Sequence, residues 1–298
     1  MRQSRIVGSQ AGGARTGKLA GRQDLAAIAG KGLVYVLAAC LSAIFLLPFA
    51  WMVSSSLKPN YQVYAVPPVW IPYPVIWSNF PDALEAMGFL TLLKNTMIIV
   101  VFTVFGGVLS SSVVAYGFAR LQWPGRDALF FVCIATLMIP YQVTLVPLYI
   151  IFSRLHWINT FRPLIIPAFF GVPFFIFLLR QFFLTIPGEI SDAARIDGAS
   201  ELGILFRIIL PLSRPALMVV ALFQFISSWN DFLGPIIYLT DPSKYTLAIG
   251  LAAFSGDHAF QFAFQMAGAT VTVLPIVVLF FFAQRAFIEG ISLTGVKG

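Results

Sequence analysis

Seven charged side chains, Glu189, Asp192, Arg195, Asp197, Glu201, Arg207 and Arg214, crowd into residues 187–215 of an otherwise oily chain. Their types do not assemble into a catalytic set. His156 and His258 stand alone, Cys40 and Cys133 sit inside apolar runs, and no His/Asp or Cys/His constellation points to nucleophilic or acid–base work. No G-x-x-x-x-G-K-[ST] phosphate loop occurs, so ATP binding of the usual kind is not expected of this chain. The chemistry left to the cluster is recognition, an ionic and hydrogen-bonding surface offered to another protein. A second polar island, Trp229-Asn230-Asp231, offers something different. An indole can stack on a sugar ring while an amide and a carboxylate bond its hydroxyls, and ionisable residues inside a membrane are functional candidates by default. Anchoring is the other reading of these three: Trp229 in an aromatic belt, and Asp231 near the outer face, where a charge costs less than at mid-membrane.

Both islands need apolar elements to hold them. The 298 residues are 59% hydrophobic and only 10% charged. Soluble domains average about 25% charged residues, so the chain reads as an all-α integral membrane protein. Two isolated thiols exclude a disulfide framework. The net charge of +7 reflects cytoplasmic lysine and arginine rather than a nucleic-acid partner. Residues 1–31 read as a basic, disordered cytoplasmic tail carrying Arg2, Arg5, Arg15, Lys18, Arg22 and Lys31. The apolar run that follows is too long for the core of a cleaved signal peptide. Six spans are expected, at about 32–57, 95–119, 128–152, 163–183, 215–239 and 265–287, each near the ~20 residues a bilayer requires. Pro140 and Pro147 should kink or interrupt the third, and Pro167 and Pro173 lie inside the fourth. Residues 58–92, rich in proline, tryptophan and tyrosine, suit an interfacial outer loop, and 240–264 forms a second one.

Local signals make 187–215 two short helices meeting at a corner. Pro187 suits a first turn, Glu189 and Asp192 sit near the positive end of the helix dipole, and Gly198 is a ready stop. Beyond the corner, Leu202, Leu205, Phe206 and Ile209 recur at helical spacing, a stripe expected to lie on the membrane domain. Ile190, Ala193 and Ala194 form a small-residue face on which a partner could dock. With the amino terminus inside, fourteen basic residues fall on the inner side and five on the outer: Lys58, Lys94, Arg154, Arg162 and Lys244. Both termini are therefore expected in the cytoplasm, with Arg154 and Arg162 running against the rule.

The corner resembles the EAA loop of the permease subunits of bacterial ABC importers. That pattern is Glu-Ala-Ala, three residues, Gly, nine residues, Ile, one residue, Leu-Pro; here it reads Asp192-Ala193-Ala194, Gly198, Ile208, Leu210-Pro211, with Asp192 for the usual Glu. The stretches 115–120 (Ala-Tyr-Gly-Phe-Ala-Arg), 228–232 (Ser-Trp-Asn-Asp-Phe) and 244–247 (Lys-Tyr-Thr-Leu) look like the sugar-importer branch. Gln284-Arg285 and residues 290–298 resemble the tail of the MalG-like permeases of maltose and related importers. The resemblance implies the type I (MetI-like) six-helix permease fold over 32–290, with a cytoplasmic tail at 291–298. It implies a prokaryotic plasma membrane, a second permease subunit, two copies of a cytoplasmic ATPase and an extracytoplasmic solute-binding protein. ATP and Mg would sit on the ATPase, with no cofactor in this chain. Glu189, Asp192, Ala193, Ala194, Arg195, Asp197, Gly198, Leu210 and Pro211 would form the coupling site. Thr294, Gly295, Val296, Lys297 and Gly298 would reach the ATPase, and Trp229, Asn230 and Asp231 would line the solute pathway. Gly234 stands where the branch commonly has a bulky aromatic, which either enlarges a cavity or changes nothing.

The solute stays open between a di- or oligosaccharide and a glycerophosphate-type or other polar compound. A secondary transporter acting alone would show paired charges at mid-membrane and a repeated architecture, and neither is visible.

Overall fold

The computed structural model describes the backbone of residues 13–257 and 261–295, and the side chains of 30–253 and 261–284. Two units divide the chain, residues 1–54 and 55–298. The first consists of helix α1 (Gly13–Ser56), which begins inside the stretch expected to be an unstructured tail. Its apolar side chains, Leu33, Tyr35 and Phe45 among them, are exposed, as suits a helix whose surroundings are hydrocarbon.

The second unit is built around one long helix. A short helix α2 (Asn79–Ala86) leads through Gly88 into α3 (Phe89–Arg120), whose 32 residues rise about 48 Å. This matches the expected second span, with six more residues at its start and one at its end. Ser, Thr, Gly and Ala recur along its buried face, among them Thr103, Gly106, Gly107, Ser111 and Ala115, the small side chains that let membrane helices approach closely.

The third expected span is interrupted, but by only one of its prolines. Helix α4 (Arg126–Ala135) runs through a 3-10 turn to Ile139, which is extended, and α5 (Tyr141–Arg154) leaves at 99°. Residues before proline avoid the helical region, so the break falls at Ile139-Pro140. Pro147 sits inside α5 without ending it.

The fourth span is also broken. A one-turn helix Arg162–Ile165 and a 3-10 helix Ile166–Phe170 precede Gly171 and helix α6 (Pro173–Thr185). Irregular backbone at membrane depth needs protein partners. Here α3 supplies them: Ser110 donates to Ala168 O (2.8 Å), and Ser111 Oγ accepts from Val172 N (3.1 Å).

After the charged stretch come α7 (Gly188–Ile196), α8 (Glu201–Leu212) and α9 (Arg214–Trp229), with an 84° bend between the last two. The expected fifth span, 215–239, therefore stops at Trp229. Residues 230–232 break it, because Asp231 turns its carboxylate onto the backbone that follows. A short helix α10 (Leu233–Tyr238) resumes, then α11 (Leu247–Asp257) and α12 (Phe262–Gly295). Helix α3 packs along α6 on one side and α9 on another, and α9 packs on α12. Among the described residues every regular element is helical, and four helices are long and apolar enough to cross a membrane, six if each bent pair counts as one.

The two ends of α3 meet different loops. At its start, Asn95 Nδ2 donates to Ser243 O and Tyr245 O (2.9 Å each), and Thr96 Oγ1 accepts from Leu247 N (2.9 Å). Asn159 joins the same assembly: its Oδ1 accepts from Asp241 N (3.1 Å) and its carbonyl from Lys244 Nζ (2.9 Å). The loop between Arg154 and Arg162 thus lies with residues 240–247, at the end of α3 opposite the charged corner.

Candidate functional site

Helix α7 ends by a sequence of bonds that its glycine makes possible. Gly198 takes φ +80°, and its N–H bonds Arg195 O (3.0 Å) while Ala199 N–H bonds Ala194 O (2.9 Å). This pair of bonds is the Schellman arrangement, which satisfies the last helical carbonyls and reverses the chain. Ser200 then opens α8, its Oγ accepting from Gly203 N (3.2 Å). Pro187 precedes α7 in extended geometry, Glu189 occupies its first turn and Arg195 its last, as the helix dipole favours.

Burial decides which face is offered. Glu189, Ile190, Asp192, Ala193, Arg195, Ile196 and Asp197 are exposed, with Ile196 at 87%. Ala194 and Ser191 point inward, and Ala194 packs in a cluster with Tyr116, Phe183, Leu205 and Ile209. Of the expected docking trio Ile190, Ala193 and Ala194, the first two are free and the third belongs to the core. The stripe on α8 differs as well. Leu205 and Ile209 are fully buried as expected, but Ile204 joins them, while Leu202 and Phe206 are 62% and 47% exposed. The inward side of α8 is thus centred on Ile204, Leu205 and Ile209, and a π-helical turn runs over Leu205–Ile209. Each fully buried aliphatic side chain holds the corner by about 1.5–3 kcal/mol. Leu210 is half-buried and Pro211 exposed at the end of α8.

Polar links tie this corner to α3. Arg195 Nε donates to Glu201 Oε1 (2.7 Å) and Nη1 to Asp192 Oδ1 (2.7 Å). Tyr116, 3% exposed on α3, donates to Glu201 Oε2 (2.5 Å). One turn on, Arg120 Nη2 reaches the carbonyls of Phe183 and Ile186 (2.6 Å each). The Arg195 guanidinium, then the Tyr116 hydroxyl, hold the Glu201 carboxyl below its usual range, and Glu201 in turn raises Arg195. The sequence marks Glu201 as part of the charged cluster and Tyr116 and Arg120 as part of the stretch 115–120, but it assigns none of the three to the coupling site. The signal existed: a tyrosine and an arginine four residues apart at the charged end of a span share one helix face.

The second island is less available than its sequence suggests. Trp229 is 2% exposed, its Nε1 donates to Thr272 O (3.2 Å), and its ring stacks on Phe225 at 5.3 Å. It is packed, and it also lines the hollow that Asn230 borders. Asn230 is exposed, with Nδ2 on Ile226 O (2.9 Å), and borders a hollow of about 400 Å³ with Phe232 and Gln265. Asp231 Oδ1 accepts from Gly234 N (3.1 Å), capping α10. A Cβ at Gly234 would lie 2.5 Å from Asp231 Oδ2 and 2.9 Å from Leu164 Cδ2, so a side chain there would need those two ends to turn aside. Among the described residues no three His, Cys, Asp or Glu side chains converge as a metal site. Val296, Lys297, Gly298 and the side chains of Thr294 and Gly295 lie outside the described residues.

A helical bundle with a charged, exposed corner between α6 and α9 is the setting in which comparison with known proteins becomes informative. Residues 107–292, from mid-α3 to the end of α12, match the family described as binding-protein-dependent transport system inner membrane component. The chain belongs to that family. It is a transport permease subunit rather than a catalytic enzyme, and a multi-pass membrane protein. Among its relatives is the arabinooligosaccharides transport system permease protein AraQ of Halalkalibacterium halodurans, 35% identical over 87% of this chain and 94% of the relative. The diacetylchitobiose uptake system permease protein NgcG of Streptomyces coelicolor is 31% identical over 84% of each. In fold, the chain superposes with a TM-score of 0.75 on a bacterial ABC transporter involved in import of the acidic polysaccharide alginate, covering 85% of this chain and 95% of that one at 24% identity.

Proposed function

We propose that this permease is one membrane subunit of an ATP-driven importer of saccharides, working in a prokaryotic plasma membrane. The exposed face of α7 carries the reading. Glu189, Asp192 and Asp197 supply charge, while Ala193 leaves space for a partner surface beside Ile190 and Ile196. In this reading that face sits on one of two cytoplasmic ATPase subunits, which hold the ATP and Mg, and Gly198, Leu210 and Pro211 fix the corner behind it. A second permease completes the pathway, and an extracytoplasmic binding protein delivers the solute. Six spans with both termini cytoplasmic put the corner on the ATPase side, and residues 294–298 extend towards the same subunit.

Saccharide as the cargo class is supported by the relatives' cargoes, arabinooligosaccharides and diacetylchitobiose. Asn230 and Asp231 remain the pathway candidates; Trp229 serves them as a packed support. A glycerophosphate-type or other polar solute is the alternative cargo. Purifying the permease from its own membranes tests the assembly, since an importer subunit retains an ATPase and a partner permease, whereas a transporter acting alone comes away without them. Identifying what the cognate binding protein holds tests the cargo: a ligand other than a saccharide would overturn that part.

A further inference from the structure

Helix α3 grips α7 from both sides. Arg120 holds the carbonyls of Phe183 and Ile186 just before α7, and Tyr116 holds Glu201 just after it. Glu201 is itself bound to Arg195 in the last turn of α7. The remaining attachments of the corner are apolar, through Ala194, Ile204, Leu205 and Ile209, and such contacts have no preferred direction. Hydrogen bonds to a charged group are short and directional, so they transmit a displacement where an oily contact slips. At its far end the same helix holds the 243–247 connection through Asn95 and Thr96. No proline interrupts α3 between these grips, a distance of about 37 Å along the helix.

We propose that α3 is the rod that carries motion from the corner to the opposite face of the molecule, and that Tyr116 is the positioning residue that lets Glu201 drive it. The proposal rests on the reading that α7 docks an ATPase. It makes the two faces of the permease sense each other through one helix with bonds at both ends, a physical link with named contacts. Coupling of this kind is reciprocal, so a partner at the 243–247 face would be felt at the corner as well.

The test uses the complete complex, with partner permease, ATPase and binding protein, in lipid vesicles. Tyr116→Phe removes one oxygen from a closely packed site. The expected result is full retention of the ATPase and unchanged basal hydrolysis, with binding-protein-stimulated hydrolysis reduced roughly tenfold and less solute imported per ATP. Combining it with Glu201→Ala, which removes both the acceptor for Tyr116 and the partner of Arg195, should add nothing to Glu201→Ala alone, because the tyrosine then has no carboxylate left to hold. Asn95→Ala, at the other end, should lower stimulated but not basal hydrolysis. Stimulation within twofold of the parent in Tyr116→Phe overturns the rod, as does an equal fall in basal and stimulated rates or loss of the ATPase. Ala193→Leu separates the two readings. If it keeps its ATPase, the docking assignment itself fails, whatever Tyr116→Phe shows.

Discussion

Two adjacent alanines on α7 should respond oppositely to the same enlargement. Ala193 is exposed, whereas Ala194 is 9% exposed and packs against the cluster containing Phe183, Leu205 and Ile209. Ala194→Leu forces three more carbons into that cluster, and overpacking of this size costs about 1–3 kcal/mol. Ala193→Leu adds the same carbons outward, where surface changes stay within about 0.5 kcal/mol. The backbone bonds of the two residues, Ala193 O from Asp197 N and Ala194 O from Ala199 N, survive in both variants. Melting of the purified permease should therefore fall clearly for Ala194→Leu and hardly at all for Ala193→Leu. Co-purification of the ATPase should show the reverse order of severity once folded protein is compared, with Ala193→Leu losing it. If both variants melt alike and retain the ATPase alike, the assignment of inner and outer faces on α7 is refuted.

Three more expectations follow from the same geometry. Gly198→Val meets no atom within 4 Å but must hold φ +80°, so its cost is purely backbone, about 1–2 kcal/mol. It should reach the membrane and lose binding-protein-stimulated hydrolysis, while Gly198→Asn, which tolerates that conformation, keeps most of it; equal behaviour of the two would contradict the corner geometry. Asp231→Asn keeps an oxygen for the Gly234 N–H and Asp231→Ala does not, so uptake assays on both separate the roles: a pathway carboxylate is damaged by either change, a helix cap only by alanine. Glu201 is held below its ordinary value of 4.5, first by Arg195 and then by Tyr116. A depressed carboxyl stabilises above that ordinary value and loses the contribution as pH falls through the lower folded one. The melting advantage of the parent over Glu201→Gln at pH 7 should begin to shrink as pH falls below about 4.5 and vanish only below the lower folded value, and an advantage unchanged with pH would refute the bond's role.

The corner was legible because its signals are local. Pro187, Gly198 and the acid-first, base-last order of α7 act within a turn or two of themselves, and the chain folds there as they dictate. The break of the third span was half legible: proline marks both 140 and 147, and only the extended residue ahead of Pro140 separates a stop from a tolerated interior proline. Faces are harder to read than helices. Apolar residues on α8 outnumber the buried ones, so the spacing of 202, 205, 206 and 209 does not reveal that Ile204 turns inward while Leu202 and Phe206 do not. Trp229, Asn230 and Asp231 read as one island because they are consecutive in sequence. The structure turns Trp229 into the packing around Thr272 and Asp231 onto Gly234, since α9 ends between them. Tyr116 and Arg120 belong to the stretch 115–120, yet their role is not readable there because their partners are 85 and 63–66 residues away.

The crowding at Gly234 has a consequence for how this protein can diverge. An atom added at 234 meets the ends of the Asp231 and Leu164 side chains at 2.5 and 2.9 Å, so both must turn aside before a side chain can enter. The carboxylate that must move is the one whose other oxygen caps α10, so a residue gained at 234 trades against that bond. Variants enlarged at 234 should therefore hold Asp231 in another rotamer, and a library that varies 164 and 234 together should return larger residues at 234 than one that varies 234 alone.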